Sequence, residues 1–499
     1  MHLGTAATVD VVIVIVYMLV ILGIGTYFGK YVKTAKDFFL AGRMLPWWII
    51  GFSIIGTNIG SYDYMGAAGN AYRVGITQAN YEWIGAIPAM IISALIFIPF
   101  YWRAGVYTVP EFLGRRYNAA VRLIMALIWG VVLICFLGIF LYAAGLLLNS
   151  FLGWNVMWGI IIVAVIMGIY TVAGGLTAVV YTDLIQFCVM MIGSISIMVA
   201  GFIKVGGVSG LMAKLGEYNP QHLKLFLPLD NPDWPWLGMI FGLALVLSPA
   251  WWCCHQSIIQ RTLGARSEWD AKAGMMLATF PKTLFAFFIL LPGFFILLLS
   301  LPQGLANPDQ ALPEAIKALL PVGLTGLMFA AIIAAIQSTV DSTLNSLSTI
   351  WTRDIYQRFI VRKAADRHYL AFGRWLTVIF LVGGILFAPM TKMFPGIYLA
   401  MQYILSVFQG PTFAIMLLGI LFRRVNQWGG LFGLVIGVLS AMIMLALDVG
   451  FLYTAWWSFV IAVVVNLLVS FLTKPDPIEK LTNLVYGLTA RPMKGEANV

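Results

Sequence analysis

The chain has 499 residues, 61% of them hydrophobic and only 10% charged. Soluble proteins carry about 25% charged residues, so this chain has too little polar surface for a water-facing globule, and a lipid bilayer is the solvent that suits it. The net charge of +10 does not indicate nucleic acid, because the basic residues fall in short loops between apolar runs, where they act as an orientation signal.

A spanning helix needs roughly 20 apolar residues. The sequence predicts thirteen, near 9–29, 46–71, 80–102, 120–150, 155–174, 179–205, 236–262, 273–300, 321–352, 369–391, 395–422, 429–447 and 452–473. The segment before the first, MHLGTAATVD, has no basic n-region and no clear cleavage site follows. The first helix is therefore expected to be retained. Cys135, Cys188, Cys253 and Cys254 lie inside apolar segments with no disulfide or metal spacing and read as small core residues.

The loops orient these helices. Those after the first, third, seventh, ninth and eleventh carry clusters such as Lys30, Lys33, Lys36 and Arg43, or Arg353, Arg358, Arg362, Lys363 and Arg367. The opposite side holds only Arg73, Lys204, Lys214, Lys224, Lys317 and Lys392. With basic loops inside, the N-terminus is expected outside and the C-terminus in the cytoplasm of a multi-pass cell-membrane protein. No soluble output domain is apparent.

Two helices carry breakers near their middles. The second contains Gly56-Thr57-Asn58-Ile59-Gly60-Ser61-Tyr62-Asp63, and the seventh contains Ser248-Pro249. They run in opposite directions, five helices apart. Irregular backbone is tolerated in a membrane only against protein or a cavity, and a pair of broken helices in corresponding positions marks the binding site of an inverted-repeat transporter. Glycine and proline are also common in ordinary membrane helices, but Asn58 and Asp63 at one break favour the functional reading.

Ionisable residues within membrane helices default to functional roles; here they are Asp63, Glu82, Asp183, Lys282 and Asp341. On the ninth helix Ala335, Ser338, Thr339, Asp341 and Ser342 form a polar stripe, continued by Asn345, Ser346, Ser348 and Thr349. Its hydroxyl and carboxylate oxygens suit a hard cation such as sodium. Serine and threonine also pack helix seams; Asp341 tips the stripe towards an ion site. Glu82 and Lys282 pair as solute contacts or as a structural ion pair, and Trp251, beside the break at Pro249, offers an aromatic face to a sugar ring.

The runs DFFLAGRMLPWWIIGFSIIGTNIGSYDYMGAAG, YEWIGAIP, YTVPEFLGRRYN, YTVAGGLTAVVYTDLIQ, SIIQRTLGA and STVDSTLNSLSTIWTRDIYQ resemble the sodium:solute symporter family, closest to its sodium/glucose cotransporter branch. The resemblance runs from the first helix to about Gly429. It implies an all-α polytopic fold with a LeuT-type five-plus-five inverted-repeat core working by alternating access. The expected division of the single 1–499 transporter domain is an extra helix at 9–29, a first repeat plus the start of the second at 46–262, the second repeat at 236–422, and two extra helices at 429–473.

Carried over residue by residue, the resemblance implies a sodium site from the carbonyls of Gly56, Ile59 and Ala335 with the hydroxyls of Ser338 and Thr339. A second sodium site, present in some members, falls on Asp183, Ser338, Asp341 and Ser342; Asp341 stands where members often have serine. The sugar-site positions fall on Asn58, Gly60, Asp63, Glu82, Ser248, Trp251, Lys282 and Tyr403, with Gln402 adjacent. Asp63 replaces a usual Gln, Ser248 an Asn, Gly60 a Ser, Tyr403 a Gln and Trp251 a capping Tyr. The expected function is sodium-coupled import of a small polar solute, a sugar first, with Na+ as coupling ion and no organic cofactor. The rival is an amino-acid or organic-acid symporter, proton-coupled through Asp63 or Asp341. A membrane sensor or enzyme is disfavoured, because four histidines, all scattered, offer no metal cluster or nucleophile–base pair. The sequence carries no signal for an oligomeric state.

Overall fold

The computed structural model describes residues 2–3, 6–300, 304–394 and 396–488. Apart from a two-residue strand pair, His2–Leu3 with Ala6–Ala7, the described secondary structure is helical. In lipid every backbone polar group must be satisfied within the segment, and helices achieve this. Eleven helices among the described residues are long and apolar enough to cross a membrane. The expected thirteen is not reached on those terms, for two local reasons. Val156–Ile169 is apolar but short. The expected 46–71 segment is interrupted after Trp47–Asn58, so it does not count as one long helix.

Gly175 separates the fifth and sixth expected helices. A continuous run, Val156–Val205, is kinked there at φ 51° and ψ −153°, a conformation glycine reaches without a Cβ penalty. A Cβ at this position would also lie 2.5 Å from the carbonyl oxygen of Phe38.

The second break differs from expectation. Pro249 sits in the first turn of Ser248–Cys254, directly after a wide π-helical turn, Met239–Leu247. Proline lacks an N–H and crowds the preceding turn, and the i→i+5 spacing absorbs both defects. The chain leaves the helix later, at His255 (φ −72°, ψ 119°), before Gln256–Leu263 begins.

Helix ends are held by buried charges. Asp10 Oδ1 accepts from the Gly323 and Gly326 amides at 2.7 and 2.8 Å, capping Leu324–Ile350 at its positive end. At the opposite end of the fold Arg116, fully buried, donates to the carbonyls of Gly419, Phe422 and Val425 and closes Ile397–Leu421. Leu324–Ile350 is buried along almost its whole length and packs most extensively on Val156–Val205. Gln427–Ala446 and Phe451–Leu472 pack on each other and on Ile397–Leu421, leaving faces such as Ile436, Leu439 and Leu472 exposed, as lipid contact requires.

Candidate functional site

Both broken helices contribute to one cavity. Trp47–Asn58 ends where Ile59 turns out of helical geometry (φ −84°, ψ 90°), and a π-helical turn, Tyr62–Ala67, restarts the chain. Asn58, Asp63, Glu82, Ser248, Trp251, Lys282 and Gln402 all line a cavity of about 50 Å³, room for roughly three waters. The structure therefore gathers seven of the nine expected solute residues.

Glu82 and Lys282 form a buried ion pair in its wall, and the Lys282 ammonium lies 5.8 Å from the Trp252 ring. Asp63 Oδ2 accepts from the Gly60 amide at 2.9 Å. Asn58 Oδ1 and Trp251 Nε1 are buried without a hydrogen-bond partner. Such atoms cost free energy unless a ligand or water satisfies them, and both belong to cavity-lining residues.

Gly60 and Tyr403 are not part of the lining. Gly60 backs onto the ninth expected helix, where a Cβ would meet Thr339 Oγ1 at 2.6 Å. Tyr403 packs on Phe451, with ring centroids 5.5 Å apart. Successive residues on a helix point about 100° apart, so Gln402 takes the inward place and supplies the amide that Tyr403 lacks.

Sequence reasoning missed Tyr62, Tyr398 and Gln409 in the lining. Tyr398, Gln402, Leu405 and Gln409 recur at helical spacing along Ile397–Leu421, a period that would have revealed them. Tyr398 packs against Tyr62 and Tyr81 at 5.8 and 5.2 Å, an aromatic cluster on one side of the cavity. On another side Trp251 lies 4.0 Å from His255, which in turn contacts Trp129 at 4.9 Å.

The expected sodium ligands meet beside the first break. Ser338 Oγ lies 2.6 Å from the Gly56 carbonyl and 3.0 Å from that of Ala335. Thr339 Oγ1 lies 2.9 Å from the Ala335 carbonyl and 3.1 Å from that of Thr57. Hydroxyl and carbonyl oxygens converging where a helix ends are the donor set of a hard cation, and the helix C-terminus adds negative potential. Ile59 is the point at which the backbone turns away.

The second expected set, Asp183, Ser338, Asp341 and Ser342, has a buried arginine in its midst. Arg261, at the end of the seventh expected helix, is buried among these residues. Its Nη2 lies 2.9 Å from Asp183 Oδ2 and 2.5 Å from Ser342 Oγ, and its Nε lies 2.7 Å from Ser53 Oγ. Ser53 also donates to Asp183. Asp341 Oδ1 accepts from Thr171 Oγ1 at 2.6 Å. A guanidinium thus stands beside Asp183 and Ser342. The polar run Gln256, Ser257, Gln260 and Arg261 on one short helix was the available signal for it.

A family model described as the sodium:solute symporter family matches residues 38–437. The chain belongs to the sodium:solute symporter family. It is 33% identical over 467 residues to the sodium/glucose cotransporter of Vibrio parahaemolyticus, covering 87% of this chain and 85% of that one. It is 33% identical over 535 residues to sodium/glucose cotransporter 4 of Mus musculus, covering 96% and 78%. In fold it is similar to the substrate-bound outward-open state of a Na+-coupled sialic acid symporter (TM-score 0.85, 22% identity, covering 94% and 99%). A nucleobase-cation-symport-1 family transporter in a closed conformation is also similar (TM-score 0.58, 14% identity, covering 87% and 92%). The protein is therefore an integral membrane transporter of LeuT-type fold, not an enzyme, and couples a small solute to sodium.

Proposed function

We propose that the solute is a sugar or closely related polyol, imported with one sodium ion per cycle. The observation that carries this reading is the Glu82–Lys282 pair, set with Asn58 and Gln402 around a cavity walled by Trp251, Tyr62 and Tyr398. Carboxylate, ammonium and amides together donate to and accept from hydroxyl groups, and an aromatic face covers a sugar ring. The names of the sodium/glucose relatives support it. An organic acid fits less well. Among the described residues Lys282 is the single basic one of the lining and is already paired, while Asp63 adds a second carboxylate.

Entry and exit of the solute require its aromatic walls to move, in keeping with alternating access. Sodium binds among Gly56, Ile59, Ala335, Ser338 and Thr339 and holds the first break to the ninth expected helix, which favours the solute-binding arrangement. Because Arg261 already supplies a cation to Asp183 and Ser342, a second sodium through Asp183, Asp341 and Ser342 is not part of this reading. The N-terminus lies outside and the C-terminus in the cytoplasm, with the first repeat plus the start of the second at 46–262 and the second repeat at 236–422.

Uptake of labelled solutes by proteoliposomes, with and without an inward sodium gradient, tests the proposal. Sodium-driven uptake of a neutral sugar, with competition by other sugars, is the expected result. Competition by amino acids or organic acids but by no sugar sinks it.

A further inference from the structure

The helix that carries Ser338 and Thr339 continues as Trp351–Ile360 and ends at a cleft of about 350 Å³. Arg122, Arg353, Arg358 and Arg362 line it together with Tyr107 and Glu111. Not all of this charge is balanced. Arg122 Nε is paired with Asp354 Oδ1 at 2.7 Å. Glu111 is taken by Arg115, on the same helix, at 2.5 Å.

Among the described residues, Arg353, Arg358 and Arg362 have no carboxylate within ion-pair distance. Arg353 donates to Gln357 Oε1 at 2.7 Å, lies 4.1 Å over the Tyr107 ring, and has its Nε buried with no hydrogen-bond partner. Arginines that serve only to orient a membrane protein sit solvated on loops. They need neither a shared concavity nor a guanidinium held against a ring with a donor left over. An oxyanion that accepts several N–H groups at once, such as phosphate, satisfies this arrangement. On the same helix end Phe359 and Ile360 are 39% and 66% exposed, placing apolar surface beside the charge.

We infer that this cleft binds the phosphate of an anionic lipid headgroup, with Phe359 and Ile360 against its acyl chain. Basic pockets at the inner ends of membrane helices hold such headgroups. The inference rests on the orientation proposed above, which puts this end at the inner leaflet, and not on the identity of the solute. Because Arg353 lies on the continuation of the sodium-site helix, an occupied cleft stiffens the inner end of that helix.

The test uses the purified full-length chain. Native mass spectrometry measures retention of phosphatidylglycerol and phosphatidylcholine added in equal amounts, and melting is followed with each lipid and with inorganic phosphate. The wild type is expected to retain phosphatidylglycerol several-fold over phosphatidylcholine and to melt higher with it. Arg358→Gln/Arg362→Gln, at exposed positions, should lose most of that preference, and adding Arg353→Gln the rest. Lys33→Gln/Lys36→Gln, which removes the same charge elsewhere on this end, should keep it. Equal retention of the two lipids by the wild type, or equal loss in the lysine control, overturns the inference. Stabilisation by inorganic phosphate without any preference for phosphatidylglycerol overturns the lipid as its source.

Discussion

Ser338 and Thr339 hold the first break against the ninth expected helix through their hydroxyl oxygens. In the sodium site proposed above, replacing both by Ala removes two ligands and leaves carbonyls alone. A hydrogen bond to a charged group contributes about 1.5–3 kcal/mol, so the sodium concentration for half-maximal uptake should rise by at least about tenfold. Unchanged sodium dependence, at unchanged melting temperature, would remove the site from these residues. Gly60→Ala tests the same seam from the other side. Its Cβ would fall 2.6 Å from Thr339 Oγ1, and overpacking of that kind costs about 1–3 kcal/mol. Sodium affinity should drop while the solute contacts stay intact. At Glu82 the expected signature is selective. Glu82→Ala should weaken the full substrate more than an analogue lacking one hydroxyl, because a site built on hydrogen bonds penalises a missing partner. Equal loss for both would show that Glu82 only neutralises Lys282.

At the scale of an element, Ile397–Leu421 carries Tyr398, Gln402 and Gln409 into the cavity, and its first amide, Ile397 N, donates to Asp309 Oδ2 at 3.0 Å. Asp309 lies in the 304–323 connection, outside the spanning helices. Burial pushes its carboxyl up to about 6, against the lowering effects of the Ile397 amide and of Arg73. Among the described residues lining this cleft Asp309 is the one carboxylate, so an inflection in the acid range belongs to it. Between roughly pH 4 and 6 the folded chain therefore holds a proton that the unfolded chain has released. Stability from this group is present on the acid side and is lost as the pH rises through about 6. The helix-end bond has the opposite dependence, being strongest for the ionised carboxylate. Solute affinity should accordingly fall as the pH drops through about 6, while Asp309→Asn should flatten both profiles. Binding measured across that range checks this, and a mutant that keeps the wild-type inflection would assign it elsewhere.

For the whole molecule, Arg261 joins elements far apart in sequence. It bonds Ser53 before the first break, Asp183 on the kinked helix, and Ser342 on the sodium-site helix, all buried. Removing one partner of a buried ion pair costs about 3–5 kcal/mol, so Arg261→Gln and Asp183→Asn should each lower the unfolding free energy by that order. The double variant should lose less than the sum, because the two residues act on each other. Additive losses in denaturant titrations would mean that the pair is not coupled. The same network bears on energetics. With Arg261 as the resident cation, the charge-to-solute ratio should be one. A single charge crossing 100 mV supplies about 2.3 kcal/mol, or roughly 40-fold accumulation before any sodium gradient. A measured ratio of two would return Asp183 and Asp341 to ion binding.

The membrane class, most helix positions, the first break and the hydroxyl-bearing stripe of Ser338, Thr339 and Ser342 were legible in the sequence, because each rests on local chemistry. Apolar runs must be helices in lipid. Glycine and asparagine interrupt them, and hydroxyls four residues apart share a face. Family motifs extended this to seven residues of the cavity lining. Three features required the tertiary structure. The second break lies at His255 and not at Pro249, because the preceding π-turn absorbs the proline. Gln402 and not Tyr403 faces the cavity, because helix rotation is set by packing against Phe451 and its neighbours. Arg261 is a buried cation whose role no local pattern shows, because its partners come from segments 78 to 208 residues away. Periodicity reports what a residue does within its own helix, while a charge's partner is decided only when distant helices close around it.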